Sequence, residues 1–226
     1  MAGAGQRAAR AHAYENPRTE VQALVPASAR RILDLGCSSG ALGAALKARQ
    51  GAYVLGVEID PDYGEDARSR LDEVIVANVE ELAASEDLEE RLGRFDCLLC
   101  ADVLEHLVDP WAALERFGAL VDPGGTLVVS LPNIRYWETF WQLGRHGTFP
   151  RRAEGIFDRT HLRWFTARDA WSLVEGAGFE VVGIERQLRA RPAYDPKWDR
   201  RIQWLHHTPI RTFFTFQHLL VGRRRG

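Results

Sequence analysis

The sequence predicts an α/β fold, a mostly parallel sheet covered by helices on both faces. Short β-branched or leucine-rich runs alternate with amphipathic stretches along the chain, the pattern of strands joined by crossover helices. At 226 residues, 46% hydrophobic and 27% charged, the chain can bury one substantial core and leaves little room for two.

Each element follows in order. The strand candidates are RRILDLG, YVLGVEI, EVIVANV, DCLLCAD, TLVVSLP, FEVVGIE and FQHLLVG. Helices are predicted between the first five: Ala41 to Gln50, Pro61 to Leu71, a short stretch from Glu80 to Arg91, and Trp111 to Leu120, closed by Pro123-Gly124-Gly125. One domain is expected over 1–226, with a helical cap over 1–28 and a ligand-binding core over 29–132. Two insertions, 133–167 and 187–212, lie beyond the carboxyl ends of the strands, where open α/β sheets bind ligands. The first concentrates aromatics and arginines, and the second carries Trp198, Trp204, His206 and His207.

Composition narrows the setting. No run of about 18 apolar residues exists and the first 13 residues lack a secretory apolar centre, so a cytoplasmic protein without a membrane span is expected. Cys37, Cys97 and Cys100 are too few for a disulfide framework. Cys97 and Cys100 lie three apart in a strand, on opposite faces, where they cannot readily chelate or cross-link. The net charge of −2 conceals an asymmetry: residues 1–144 hold 13 Lys/Arg against 23 Asp/Glu, residues 145–226 hold 16 against 8. The basic last third suits a solvated surface or an anionic partner, nucleic acid being the extreme case.

The strongest chemical signal is ILDLGCSSG, a strand ending at Asp34, a small-residue loop, and a helix from Ala41. Gly36 and Gly40 permit tight turns and a close backbone approach to a ligand. A dinucleotide fingerprint would need glycines at Ser38 and Ala41, so a pyrophosphate lacks its seat. Asp34 suits instead a cationic ligand such as a sulfonium amino acid; a purely structural turn is the plainer alternative. Glu58 ends the second strand, where a carboxylate can accept both hydroxyls of a ribose. Asn78-Val79-Glu80 ends the third strand and Pro-Gly-Gly precedes the fifth.

In this order the first 132 residues resemble class I S-adenosylmethionine-dependent methyltransferases. The resemblance implies a Rossmann-like, seven-stranded, mostly parallel sheet with an antiparallel last strand, and S-adenosyl-L-methionine as cofactor. It places Asp34, Gly36, Ser38 and Gly40 along the methionine part, Glu58 at the ribose, and Asn78 and Val79 at the adenine, with Cys37, Ile59 and Ala101 among the cofactor-binding residues. Ser38 stands where the family's middle glycine does, and Asn78 where an aspartate is common. Tyr14 and Arg18, ahead of the first strand, resemble a segment that closes over the cofactor, a helix surface being the alternative.

A second constellation, Asp102, Glu105 and His106, follows the fourth strand, and His161 comes later in DRTHLRWFT. The pattern resembles O-methyltransferases of ubiquinone biosynthesis and small-RNA 3′-terminal 2′-O-methyltransferases, in which such residues can hold a divalent cation. GIFDRTHLRWFT with SLPNIRYW resembles bacterial O-methyltransferases of surface glycans and secondary metabolites.

Three readings of these four residues follow: a histidine takes the acceptor proton; the group binds Mg²⁺ or Mn²⁺; or Glu105 and His106 merely cap a helix. The base reading is preferred, because Asp102 is one methylene shorter than the matching glutamate of the RNA-end enzymes. The expected reaction is O-methylation of a polar small molecule, sugar, glycan or secondary metabolite. Tyr136, Trp137, Trp141, Phe157 and Trp164 are expected as the acceptor's wall, and Arg151, Arg152, Arg159 and Arg163 as contacts to negative groups. Methylation of an RNA 3′ end, or a non-catalytic cofactor-binding partner protein, are the alternatives.

Overall fold

The computed structural model describes residues 15–193 and 195–226. Seven strands form one sheet: β1 (Arg31–Leu35), β2 (Tyr53–Glu58), β3 (Glu73–Val76), β4 (Phe95–Ala101), β5 (Val121–Pro132), β6 (Phe179–Leu188) and β7 (Thr215–Arg224). Their spatial order is 3-2-1-4-5-7-6. The first five pair in parallel, while β7 runs antiparallel to both β5 and β6. This is the expected Rossmann-like sheet with its antiparallel last strand. All seven strand candidates form, and β5 begins earlier than expected because Val121 already pairs with Phe95, so Pro123-Gly124-Gly125 lies inside a bulged strand.

Ten helices accompany the sheet among the described residues. They are α1 (Thr19–Gln22), α2 (Ala41–Gln50), α3 (Pro61–Arg68), α4 (Val79–Ala83), α5 (Leu88–Leu92), α6 (Pro110–Gly118), α7 (Trp137–His146), α8 (Ala167–Gly176), α9 (Pro196–Arg201) and α10 (Arg211–Phe214). The α2 bounds match those read from the sequence. The stretch expected from Glu80 to Arg91 divides into α4 and α5. Three Asp-Pro pairs, Asp60-Pro61, Asp109-Pro110 and Asp195-Pro196, start helices in the same way: the aspartate accepts backbone N–H bonds from the first turn and proline supplies its preset φ. Thr166 and Asp169 close a reciprocal capping box on α8.

Strand alternation divides the core between the two sheet faces. Leu33, Leu35, Leu98, Cys100, Leu127 and Val129 pack under α4 to α6 and α8. Ile32, Cys97, Leu99 and Val128 pack under α2 and the Ala67–Leu71 region. Cys97 and Cys100 therefore face opposite cores as free thiols, both pushed upward by burial, which removes a metal or disulfide role for the pair. No helix among the described residues is long and apolar enough to cross a membrane.

Two large rings of the 133–167 insertion are spent on packing. Tyr136 and Phe157, expected on the acceptor wall, are fully buried, Tyr136 packed edge-on against Phe216 and Phe157 against Phe149. They are structural: rings this large are worth more inside than facing a ligand.

Candidate active site

The site is assembled at the carboxyl ends of β1, β2, β4 and β5. At the end of β1 the chain turns through Gly36, with φ of +70°, and Ser38, with φ of +50°. The N–H groups of Gly36 and Cys37 both donate to the Val57 carbonyl, at 2.8 and 3.1 Å, folding the loop over β2. A Cβ at Gly36 would fall 2.9 Å from Val103 Cγ2, so the glycine is needed for space as well as for conformation. Cys37 turns its thiol inward, where a Cβ on Gly56 would come within 2.5 Å of the sulfur. Only the backbone of Cys37 is left for the ligand contact expected of it.

Glu58 holds this loop. Its carboxylate accepts from the N–H of Ser38 at 2.8 Å and of Asp60 at 2.9 Å, and so spans β1 and β2. Beside it Asp34 is buried, and its Oδ2 has no hydrogen-bond partner among the described residues. Burial, with the charge of Glu58 added, pushes the Asp34 carboxyl up to about 7, against a smaller opposing pull from Arg18. Burial also raises Glu58. A buried carboxyl with one oxygen left without a hydrogen bond, next to a second carboxyl, fits a cationic ligand carrying hydroxyls.

The rest of the expected cofactor set is arranged around this pair. Ile59 is 63% exposed, an apolar lip beside Glu58. Asn78 accepts the Glu80 N–H at 2.8 Å as the N-cap of α4, so its oxygen already serves the helix. Val79 is buried in the core and presents no side chain to a ligand. Ala101 ends β4, partly buried, against the second core cluster.

Asp102 follows in a left-handed conformation, φ +60°. Its carboxylate is ion-paired with Arg18 and accepts from Ser130 Oγ at 3.0 Å and from Gln217 Nε2. Arg18 also donates to Ser130 Oγ at 3.1 Å and to Glu20 at 2.5 Å. Arg18 is thus tied to the ends of β4 and β5 through Asp102 and Ser130; Tyr14 lies outside the described residues. Ser130 and Gln217 carry no sequence signal, Gln217 standing 115 residues from its partner.

The other three residues converge. Glu105 and His106 lie on a 3₁₀ turn, Leu104–His106, and the N–H groups of Leu162 and Arg163 donate to the Glu105 carbonyl at 2.8 and 3.0 Å, which brings His161 alongside. Ligand atoms of Glu105, His106 and His161 all lie within 4.8 Å of one another, and the imidazole centroids are 4.8 Å apart. Asp102 is not part of this trio. His106 Nδ1 lies 3.2 Å from the Thr160 carbonyl and His161 Nδ1 3.2 Å from that of Ile156. A carbonyl only accepts, so each Nδ1 carries a proton, and in the neutral imidazole that tautomer leaves the lone pair on Nε2. Glu105 is 1% exposed, and neither of its carboxylate oxygens has a partner among the described residues. Burial, then the charge of Asp102, raises its pKa well above the carboxylate range. Burial, then His106, lowers that of His161.

Of the remaining expected contacts, Trp141 and Trp164 are exposed. Arg152 is ion-paired with Glu138 at 2.6 Å and Arg163 donates to the Val108 carbonyl, which leaves Arg151 and Arg159 as the exposed arginines of that set.

Fold and site together define a class I S-adenosylmethionine-dependent methyltransferase. Residues 9–184 match the family described as methyltransferase domain, and the chain belongs to that family. Among curated relatives, the ubiquinone biosynthesis O-methyltransferase of Xylella fastidiosa (strain 9a5c) is 39% identical over 110 residues, 48% of this chain and 44% of the relative. That of Azorhizobium caulinodans is 37% identical over 114 residues, 50% and 45%. The chain spans about half the length of these relatives. Among solved structures, a SAM-dependent methyltransferase from Archaeoglobus fulgidus superposes with a TM-score of 0.64 at 17% identity, covering 94% of this chain and 97% of that one. The magnesium protoporphyrin IX methyltransferase of Synechocystis with bound SAH gives 0.63 at 17%, covering 99% and 89%.

Proposed function

We propose that this enzyme transfers the methyl group of S-adenosylmethionine to a hydroxyl oxygen of a small-molecule acceptor, with a divalent cation held by Glu105, His106 and His161. The observation that carries the reading is the unpartnered, buried Glu105 carboxylate beside two imidazoles whose Nδ1–H groups are spent on backbone carbonyls. That is how metal-ligating histidines are oriented, and the buried Glu105 carboxyl, which burial keeps protonated while it has no partner, would ionise only with a cation beside it. The sequence alone favours a histidine base; Glu105 shifts the balance.

The donor residues fit the cofactor. Asp34, with its free Oδ2, would meet the cationic amino-acid part, and Glu58 would accept ribose hydroxyls with the lone pairs left after Ser38 and Asp60. The cofactor supplies a sulfonium methyl; the O–C bond forms as the S–C bond breaks, the thioether leaves with the S–C electron pair, and the acceptor's hydroxyl proton passes to solvent. A cation at the trio would supply Lewis acidity, lowering the pKa of that hydroxyl. His106 and His161, immobilised through Nδ1, and Arg18, which pins Asp102 at the end of β4, keep the reacting edge of the sheet fixed, and alignment is the main contribution of such enzymes. The names of the relatives above support oxygen as the acceptor atom.

One observation favours a second reading. His161 is held neutral by burial and by His106, so its Nε2 could take the acceptor proton directly. EDTA separates the two: with a cation, it should abolish turnover and added Mg²⁺ or Mn²⁺ should restore it. With a base alone, EDTA should do nothing while His161→Ala lowers kcat by roughly 10²- to 10⁴-fold.

A further inference from the structure

Helix α7 is turned inside out. Its polar residues Glu138 and Thr139 are buried, whereas Phe140, Trp141 and Leu143 are each about half exposed, 51, 51 and 50%. The ion pair of Glu138 with Arg152 fixes this orientation from within. Beyond α7, Phe149 and Trp164 are also exposed, 41 and 45%, and their rings meet at 5.4 Å. A patch of this kind costs free energy in water and needs an occupant.

Charge indicates which occupant. Residues 135–164 hold six arginines against three acidic residues in a chain of net charge −2, and one of the three acids is the buried Glu138. Arg145, Arg151 and Arg159 are exposed and interleaved in sequence with the apolar residues. A second copy laid on this surface about a two-fold axis would set arginines against arginines. A surface of anionic lipid accepts both components: tryptophan, phenylalanine and leucine enter the boundary between headgroups and acyl chains, and arginines meet the phosphates.

We propose that α7 with the Phe149 and Trp164 rings docks this protein onto an anionic lipid surface. The patch abuts the candidate site, Trp164 standing three residues beyond His161, so docking sets that site next to the lipid. The inference does not rest on the nature of the methyl acceptor.

Cosedimentation with vesicles tests it. The full chain should pellet with phosphatidylcholine–phosphatidylglycerol vesicles, not with phosphatidylcholine alone, and should be released by salt. Brominated acyl chains should quench its tryptophan fluorescence. The double variant Phe140→Ser/Leu143→Ser should bind roughly tenfold more weakly, its cofactor affinity unchanged. The exposed pair Arg145→Glu/Arg151→Glu should also bind weakly; if the first variant fails to fold, this pair and the quenching of the unaltered chain decide. Absence of binding to both vesicle types, or equal binding by folded variants, overturns the proposal. So does a concentration-dependent dimer that the same substitutions dissolve, for then a second copy covers the face.

Discussion

His161 Nε2 lies 4.0 Å from Glu105 Oε1, too far for a hydrogen bond, with both side chains almost wholly shielded from water. A hydrogen-bonded pair would have closed that gap; a pair sharing an ion would not need to. The variant that isolates the relationship is Glu105→Gln, of nearly the same volume. It should bind Mn²⁺ at least 100-fold more weakly, read by calorimetry. Without cation its stability should stay close to that of the unaltered chain, because burial keeps Glu105 protonated and one neutral group replaces another of nearly the same volume. A large loss of thermal stability instead would make Glu105 a structural acceptor.

Glu58 serves two ends, and its removal should show both. Glu58→Ala takes the acceptor from Ser38 and Asp60 and from the ribose hydroxyls, so cofactor affinity should fall by about 1.5–3 kcal/mol. The melting temperature of the cofactor-free protein should fall with it, because Ser38, at φ +50°, loses the bond that holds its turn. Unchanged affinity in calorimetry on a folded variant would remove Glu58 from the cofactor site.

Gly36 is a steric requirement. Gly36→Ala adds a Cβ that meets Val103 in a backbone region unfavourable to L residues, a cost of roughly 1–3 kcal/mol. Gly124, also at positive φ but with open space around it, should cost less when changed in the same way, and the two melting temperatures together separate crowding from backbone strain.

Much of this was legible in the sequence because it rests on local pattern. The strands alternate cleanly between two cores, and the β1 loop with Glu58 declares itself by glycine spacing and by a carboxylate at a strand end. Four features were not legible. The outward-facing α7 breaks the rule that an apolar stripe marks the buried side of a helix. The rings of Tyr136 and Phe157 are taken by packing against Phe216 and Phe149, which no spacing reveals. Asp102 is drawn from Glu105 and toward Arg18 and Gln217 by partners 84 and 115 residues away in the chain. The convergence of His161 on Glu105 depends on two backbone N–H bonds, from Leu162 and Arg163, that sequence does not display.

Asp34 should make cofactor binding depend on pH. Its carboxyl is raised to about 7 in the absence of ligand, by burial and by Glu58, against about 3.9 in an unfolded chain. A raised carboxyl stabilises the folded state in its protonated form, so this contribution is fully present below pH 4 and is lost as the pH rises through 7. The cationic cofactor requires the opposite form, and its sulfonium and ammonium should pull the proton off. S-adenosylmethionine should therefore bind more tightly as the pH climbs toward 8, releasing a proton when binding occurs near pH 6, and the affinity should level off above the pKa. Calorimetry in buffers of different ionisation enthalpy reads that proton directly. Asp34→Asn should bind weakly at every pH, flatten the profile and abolish the proton release. A flat profile in the unaltered chain would mean that Asp34 is already ionised before the cofactor arrives, and that its Oδ2 meets another partner.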